Sequence, residues 1–173
     1  MISNLVEEAR EIYRPEQVRM LFIAEAPPAN SDRFFYFPDV RTGDSLFLHV
    51  IRAVFPELNE VETKQIRAMK EELLHRFREA GCFLEDSSLK SIAKEVGHGE
   101  KIRLLRIEQE ALHQRIQRYK STSKIVLVGA TVFKANCEFL TGLGYSILNK
   151  SAIPFPGSGQ QNRFKKAMRD IGF

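Results

Sequence analysis

Apolar residues recur along this chain in two rhythms. Unbroken runs, RMLFIA at 19–24, CFL at 82–84 and KIVLVG at 124–129, predict buried parallel strands, because a strand covered on both faces needs no polar alternation. Between them the apolar positions fall at helical spacing. A short amphipathic helix is predicted at 3–13. A second, capped by Thr42 or Asp44, runs to Phe55 with Leu46, Phe47, Val50, Ile51 and Val54 on one side. A third covers 63–80, with Ile66, Met69, Leu73, Phe77 and Ala80 in a stripe, and Gly81 ends it. A fourth covers 102–119, with Leu104, Leu105, Ala111, Leu112, Ile116 and Tyr119 facing in. Helices at 131–142 and from Gln160 onward follow, separated by a short predicted strand at 145–148.

Strands alternating with long helices imply parallel pairing, and so an α/β fold: a three-layer α/β/α sandwich with a short central parallel sheet. The 173 residues suit a single domain, 1–173, with no internal repeat, low-complexity segment or linker. Ligands of such sheets bind beyond the carboxyl ends of the strands. The loops there are 25–43, 85–100, 129–131 and 150–160. The first is long for a compact domain, which points to a functional loop. Residues 88–100 are polar, with glycines at 97 and 99, and read as exposed.

Composition narrows the class. Hydrophobic residues at 43% and charged residues at 28% give an ordinary globular balance. No apolar run is long enough to span a bilayer, and the start carries Glu7, Glu8 and Glu11 rather than a basic leader, so the expectation is a cytoplasmic protein without a membrane. Cys82 and Cys137 are too few for a disulfide framework or a cysteine-ligated cluster and read as buried reduced thiols. The four histidines are scattered without metal-ligand spacing, so neither a metal nor a cofactor is expected. The net charge of +4 is unevenly spread. Residues 1–60 carry 6 basic and 10 acidic side chains, residues 61–149 carry 15 and 11, and residues 150–173 carry 5 and 1. That asymmetry permits an anionic partner such as nucleic acid without demanding one.

Four segments hold candidate chemistry. Glu25, just past the first strand in AEAPP, can orient or deprotonate a water; the plainer alternative is a turn cap or an ion pair. Phe34-Phe35-Tyr36-Phe37 offers a stacking wall for a flat ring, or four anchors for the loop. Glu85-Asp86-Ser87-Ser88 can read a polar edge or cap a helix. Residues 156–163, PGSGQQNR, offer a phosphate grip through Gly157, Ser158, Gly159, Gln160 and Arg163. This segment matches neither the spaced-glycine dinucleotide fingerprint nor the lysine-bearing phosphate loop.

In this order, the segments resemble the uracil-DNA glycosylase superfamily: strand, GEAPG-like turn, aromatic loop, strand with a polar end, strand and helix, then a proline-serine loop before a terminal helix. The resemblance covers about residues 19–173. It implies a protein that binds single- or double-stranded DNA as a monomer and hydrolyses the N-glycosidic bond of a damaged, deaminated base, uracil among the candidates. Carried over, Glu25 is the catalytic residue. Ala26, Phe35, Phe37 and Asp86 form the base pocket, and the 157–163 segment holds the backbone. The turn departs from the family pattern at Ala24 and Pro28, which stand in place of glycines, and the last loop has no histidine. Two alternatives stay open: a catalytically inactive nucleic-acid-binding member of the same fold, and a small α/β protein that binds a phosphate-bearing small molecule.

Overall fold

The computed structural model describes residues 2–29, 31–119 and 124–173. Three short strands, β1 (Met20–Ala24), β2 (Cys82–Asp86) and β3 (Lys124–Leu127), form a parallel sheet in the order β2-β1-β3. Met20 stands opposite both Cys82 and Lys124, so the three apolar runs are in step. The side chains of Leu21, Phe22 and Ile23 on the central strand are wholly buried.

Among the described residues, eight helices surround the sheet: α1 (Ile2–Ile12), α2 (Ser45–Val54), α3 (Thr63–Ala68), α4 (Lys70–Glu79), α5 (His98–Ile107), α6 (Gln109–Gln117), α7 (Ala130–Gly142) and α8 (Gln161–Asp170). The chain moves from β1 to β2 in one direction and from β2 past β1 to β3 in the other. Crossovers of one hand then put the two helix sets on opposite faces. The packing agrees: α2 lies against α4 and α8, whereas α5 and α6 lie against α7.

Several elements differ from the sequence expectation. The single helices at 63–80 and 102–119 are each broken in two, at Met69 (φ −102°, ψ 13°) and at Glu108 (φ −89°, ψ 0°). Asp44 precedes α2 but makes no side-chain cap; its carboxylate accepts from Arg67 Nε at 3.0 Å and Nη2 at 2.7 Å instead. No helix follows Ser88 until His98, so the 86–88 segment caps nothing. Gly81 does end its helix, at φ +74°, in the left-handed region glycine tolerates.

The strand expected at 145–148 is reduced to isolated parallel bridges, Ile125 to Ile147 and Val128 to Ile153. Between them Asn149 replaces backbone with side chain. Its Oδ1 accepts from Leu127 N–H at 2.9 Å, and its Nδ2 donates to Leu127 C=O at 3.2 Å. The opposite edge, along β2, is closed in the same way. The Leu84 N–H donates to Tyr36 Oη at 2.7 Å and Tyr36 donates back to Leu84 C=O at 3.0 Å. Arg115 Nη2 donates to Asp86 C=O at 2.7 Å, and Asp86 N–H donates to Glu85 Oε1 at 2.9 Å. Side chains thus satisfy backbone groups that a bare edge would leave open.

Candidate functional site

The connections after β1 and after β3 leave for opposite faces of the sheet. A crevice opens between two such strand ends, where ligands of open parallel sheets bind. Glu25 is the first residue past β1, and Thr131 lies in the first turn of α7, just past β3. The two meet: Thr131 Oγ1 donates to Glu25 Oε2 at 2.6 Å. Lys101 Nζ, from the first turn of α5, donates to Oε1 at 2.9 Å. The carboxylate is therefore held at both oxygens while its side chain keeps 28% of its surface exposed. Its position at the start of α7 also suits the partial positive charge of a helix N-terminus.

The backbone beneath it is equally fixed. Ser87 N–H donates to Ala24 C=O at 2.8 Å and Ser88 N–H to Glu25 C=O at 3.0 Å, which extends the β1–β2 pairing past the strand ends. Ser91 Oγ donates to Pro28 C=O at 3.3 Å. The 87–91 segment is thereby laid alongside the AEAPP turn.

The aromatic loop divides. Phe34, Phe35 and Tyr36 are buried, with Phe35 packed on Phe47 and Phe77 and only 4% exposed. Phe37 is half-buried, its ring edge-on to Phe34 at 5.3 Å. Phe35 thus anchors the loop, and Phe37 is the aromatic of the four that keeps a solvent face. Ala26 is half-buried in the turn.

Asp86 is 3% exposed and held by Arg10 Nη2 at 2.6 Å. Glu85 Oε1 lies 3.6 Å from both Arg10 Nε and Arg115 Nε, and Tyr119 donates to Glu85 Oε2 at 2.5 Å. Burial pushes the Asp86 carboxyl up, to about 7, against the pull of Arg10. This places Asp86 in a buried ion cluster that ties α1 to the edge strand, engaged by protein partners rather than free to read a base edge.

Ahead of the 157–163 segment, Ile153 is tied to the turn after β3, where Gly129 N–H donates to its C=O at 2.8 Å. Ser158 adopts φ +50° and Gly159 φ +80°, and both are exposed. A left-handed serine is unfavourable by on the order of 1 kcal/mol, and such residues gather at ligand sites. Gly157 and Gln160 are half-buried, and Arg163 is exposed. No hydrogen bond or ion pair among the described residues joins Glu25 to Phe37, Asp86 or this segment.

Lys101 and Thr131 escape a reading of the sequence alone. Thr131 had a signal, a hydroxyl in the first helical turn after an apolar strand. Lys101 had none, since it lies 76 residues from its partner in a region that reads as the end of a polar loop.

A second charged cluster sits where α2 and α4 begin. Lys70 is 1% exposed, its Nζ 4.4 Å from the centre of the Phe47 ring and without a hydrogen-bond partner among the described residues. Burial lowers its pKa to about 8, with Arg67 adding to the fall and Asp44 opposing it. Asp44 Oδ2, also buried, likewise has no partner.

Cys82 is buried and its thiol is pushed up to about 12, whereas Cys137 is half-buried rather than buried; neither forms a disulfide. Among the described residues no group of His, Cys, Asp and Glu could hold a metal ion, and no helix is long and apolar enough to cross a membrane. No protein-family model and no curated protein matches the chain.

Proposed function

We propose that the carboxyl end of β1 is the centre of a uracil-DNA glycosylase-like site that hydrolyses the N-glycosidic bond of an extruded base in DNA. The observation that carries this reading is Glu25: a partly exposed carboxylate, fixed by Lys101 and Thr131, beyond the ends of β1 and β3, the position where open parallel sheets bind ligands. In the reaction the bond between the sugar carbon and the base nitrogen breaks, and its electron pair leaves with the base. The sugar gains oxocarbenium character, water adds its oxygen to the sugar carbon, and the proton that water loses ends on the departed base. A fixed carboxylate stabilises that developing positive charge and orients the water, and its fixed position removes the need for reorganisation during the step. Phe37 supplies the stacking face, and the exposed Ser158-Gly159 backbone grips a phosphate beside β3.

A second reading, binding without chemistry, draws support from two features. Asp86 is committed to Arg10, and Pro28 has no N–H to offer a base. Single-turnover release from end-labelled oligonucleotides carrying uracil, hypoxanthine or an alkylated base separates the two. Release of one of these bases supports catalysis. Salt-sensitive binding with no release of any base, at high protein concentration, overturns catalysis in favour of binding alone.

A further inference from the structure

Away from that site, α2 and α8 run side by side on one face and enclose a cavity of about 310 Å³. The apolar residues that present surface to it are Ala53, Pro56 and Phe173, backed by the buried Phe164 and Met168. The charged side chains that line it among the described residues, Arg52, Lys165 and Arg169, are all of one sign. The acids nearby are engaged elsewhere: Asp170 binds Lys166 Nζ at 2.8 Å, and Glu57 binds Arg76 Nη2 at 2.7 Å.

Lys165 and Arg169 stand four residues apart, so they share one face of α8, an arrangement that weakens a helix unless an anion lies across it. Arg52 is fixed in place: its Nε donates to Leu58 C=O at 3.4 Å and its Nη2 to Val61 C=O at 2.9 Å and Thr63 Oγ1 at 3.3 Å, so Nη1 is the nitrogen it would turn to a ligand. The amides of Asn59, Gln161 and Asn162 complete the wall. Asn59 spends its Nδ2 on Pro56 C=O at 2.9 Å, so the acceptor end of that amide is left for a ligand donor. An apolar floor, cations of one sign and amides that both donate and accept are complementary to a flat heterocycle carrying a phosphate, and the volume is at the lower end of the range for small-molecule pockets.

We infer that the groove between α2 and α8 is a binding site for a mononucleotide, with the base against Pro56 and Phe173 and the phosphate between Arg52, Lys165 and Arg169. This inference stands apart from the glycosylase reading: Gln161 and Asn162 belong to the 157–163 segment, but none of Glu25, Phe37, Ser158 and Gly159 lines the groove, and either can fail alone.

Isothermal titration of the full chain with AMP, GMP, CMP and UMP tests it, with the parent nucleosides, inorganic phosphate and a short single-stranded oligonucleotide in parallel. At least one nucleotide should bind with one-to-one stoichiometry, and its nucleoside and inorganic phosphate should each bind at least about tenfold more weakly. In the double variant Lys165→Glu, Arg169→Glu, binding should fall by about tenfold or more at an unchanged melting temperature. Both residues are exposed, so the variant should fold. The inference would be overturned by no saturable nucleotide binding, by equal binding of inorganic phosphate, or by nucleotide binding that the double variant retains. Displacement of the nucleotide by the oligonucleotide at lower concentration would overturn it in favour of a nucleic-acid track.

Discussion

At the scale of single residues, the molecule contains two charged side chains with opposite circumstances. Glu25 is partly exposed and has donors on both oxygens, whereas Lys70 is buried with no acceptor for its nitrogen among the described residues. Lys70 therefore works against stability. A fall from the ordinary 10.5 to about 8 corresponds to a penalty on the order of 3 kcal/mol for holding the charged form. Lys70→Met should raise the unfolding free energy at pH 7 by about 1–3 kcal/mol, read from urea denaturation. The sign with pH follows from proton counting. Below about pH 8 both folded and unfolded chains hold the lysine proton. Between about 8 and 10.5 the unfolded chain keeps it and the folded chain releases it, so stability rises with pH across that window. The variant should lack that rise, and an equal rise in both proteins would show that the buried amine is not its source.

At the scale of elements, the sheet is short because its outer neighbours are side chains. Tyr36→Phe leaves Leu84 N–H and C=O without partners at a buried edge and should destabilise by about 1–3 kcal/mol. Asn149→Ala does the same to Leu127 on the other edge, by a similar amount. Amide exchange of Leu84 and Leu127 should accelerate in the respective variant, and unchanged exchange would mean that the edges are sealed by something else. Arg10→Ala strips the buried Asp86 of its partner and should be the most damaging of the three, by about 3–5 kcal/mol in the same urea assay. These devices also explain what the chain did not disclose. The apolar stretch at 145–148 looks like a strand, but Asn149 takes over the pairing before a ladder can form. The breaks at Met69 and Glu108 use backbone angles open to any residue, so neither glycine nor proline marks them. The runs ending at Ala24 and Leu127, by contrast, were legible because a strand buried on both faces has to be apolar throughout.

At the scale of the whole molecule, strand order converts distant sequence into one place. The reversal of direction around β1 sets the end of β1 beside the start of α7, and so Glu25 beside Thr131, 106 residues away. The sequence pointed to Glu25 through its place after a buried run, but it could not show the partners, which depend on how the helices dock. For the same reason Asp86 read as an accessible polar group. Its partner Arg10 comes from α1, before the sheet begins, and nothing near Asp86 announces it. Phe35 and Phe37 are indistinguishable as letters, and only the packing of the loop against α2 and α4 buries the first and leaves the second a free face. The proposed chemistry rests on the carboxylate at this crossing point. Its most direct test is the single-turnover rate of base release by the wild type and by Glu25→Gln, a variant that keeps the side chain's shape and an oxygen for Thr131. Release by the wild type is expected, with a loss of at least about a hundredfold in the variant, at unchanged DNA affinity. Equal rates in the two proteins, or no release by either, would contradict it.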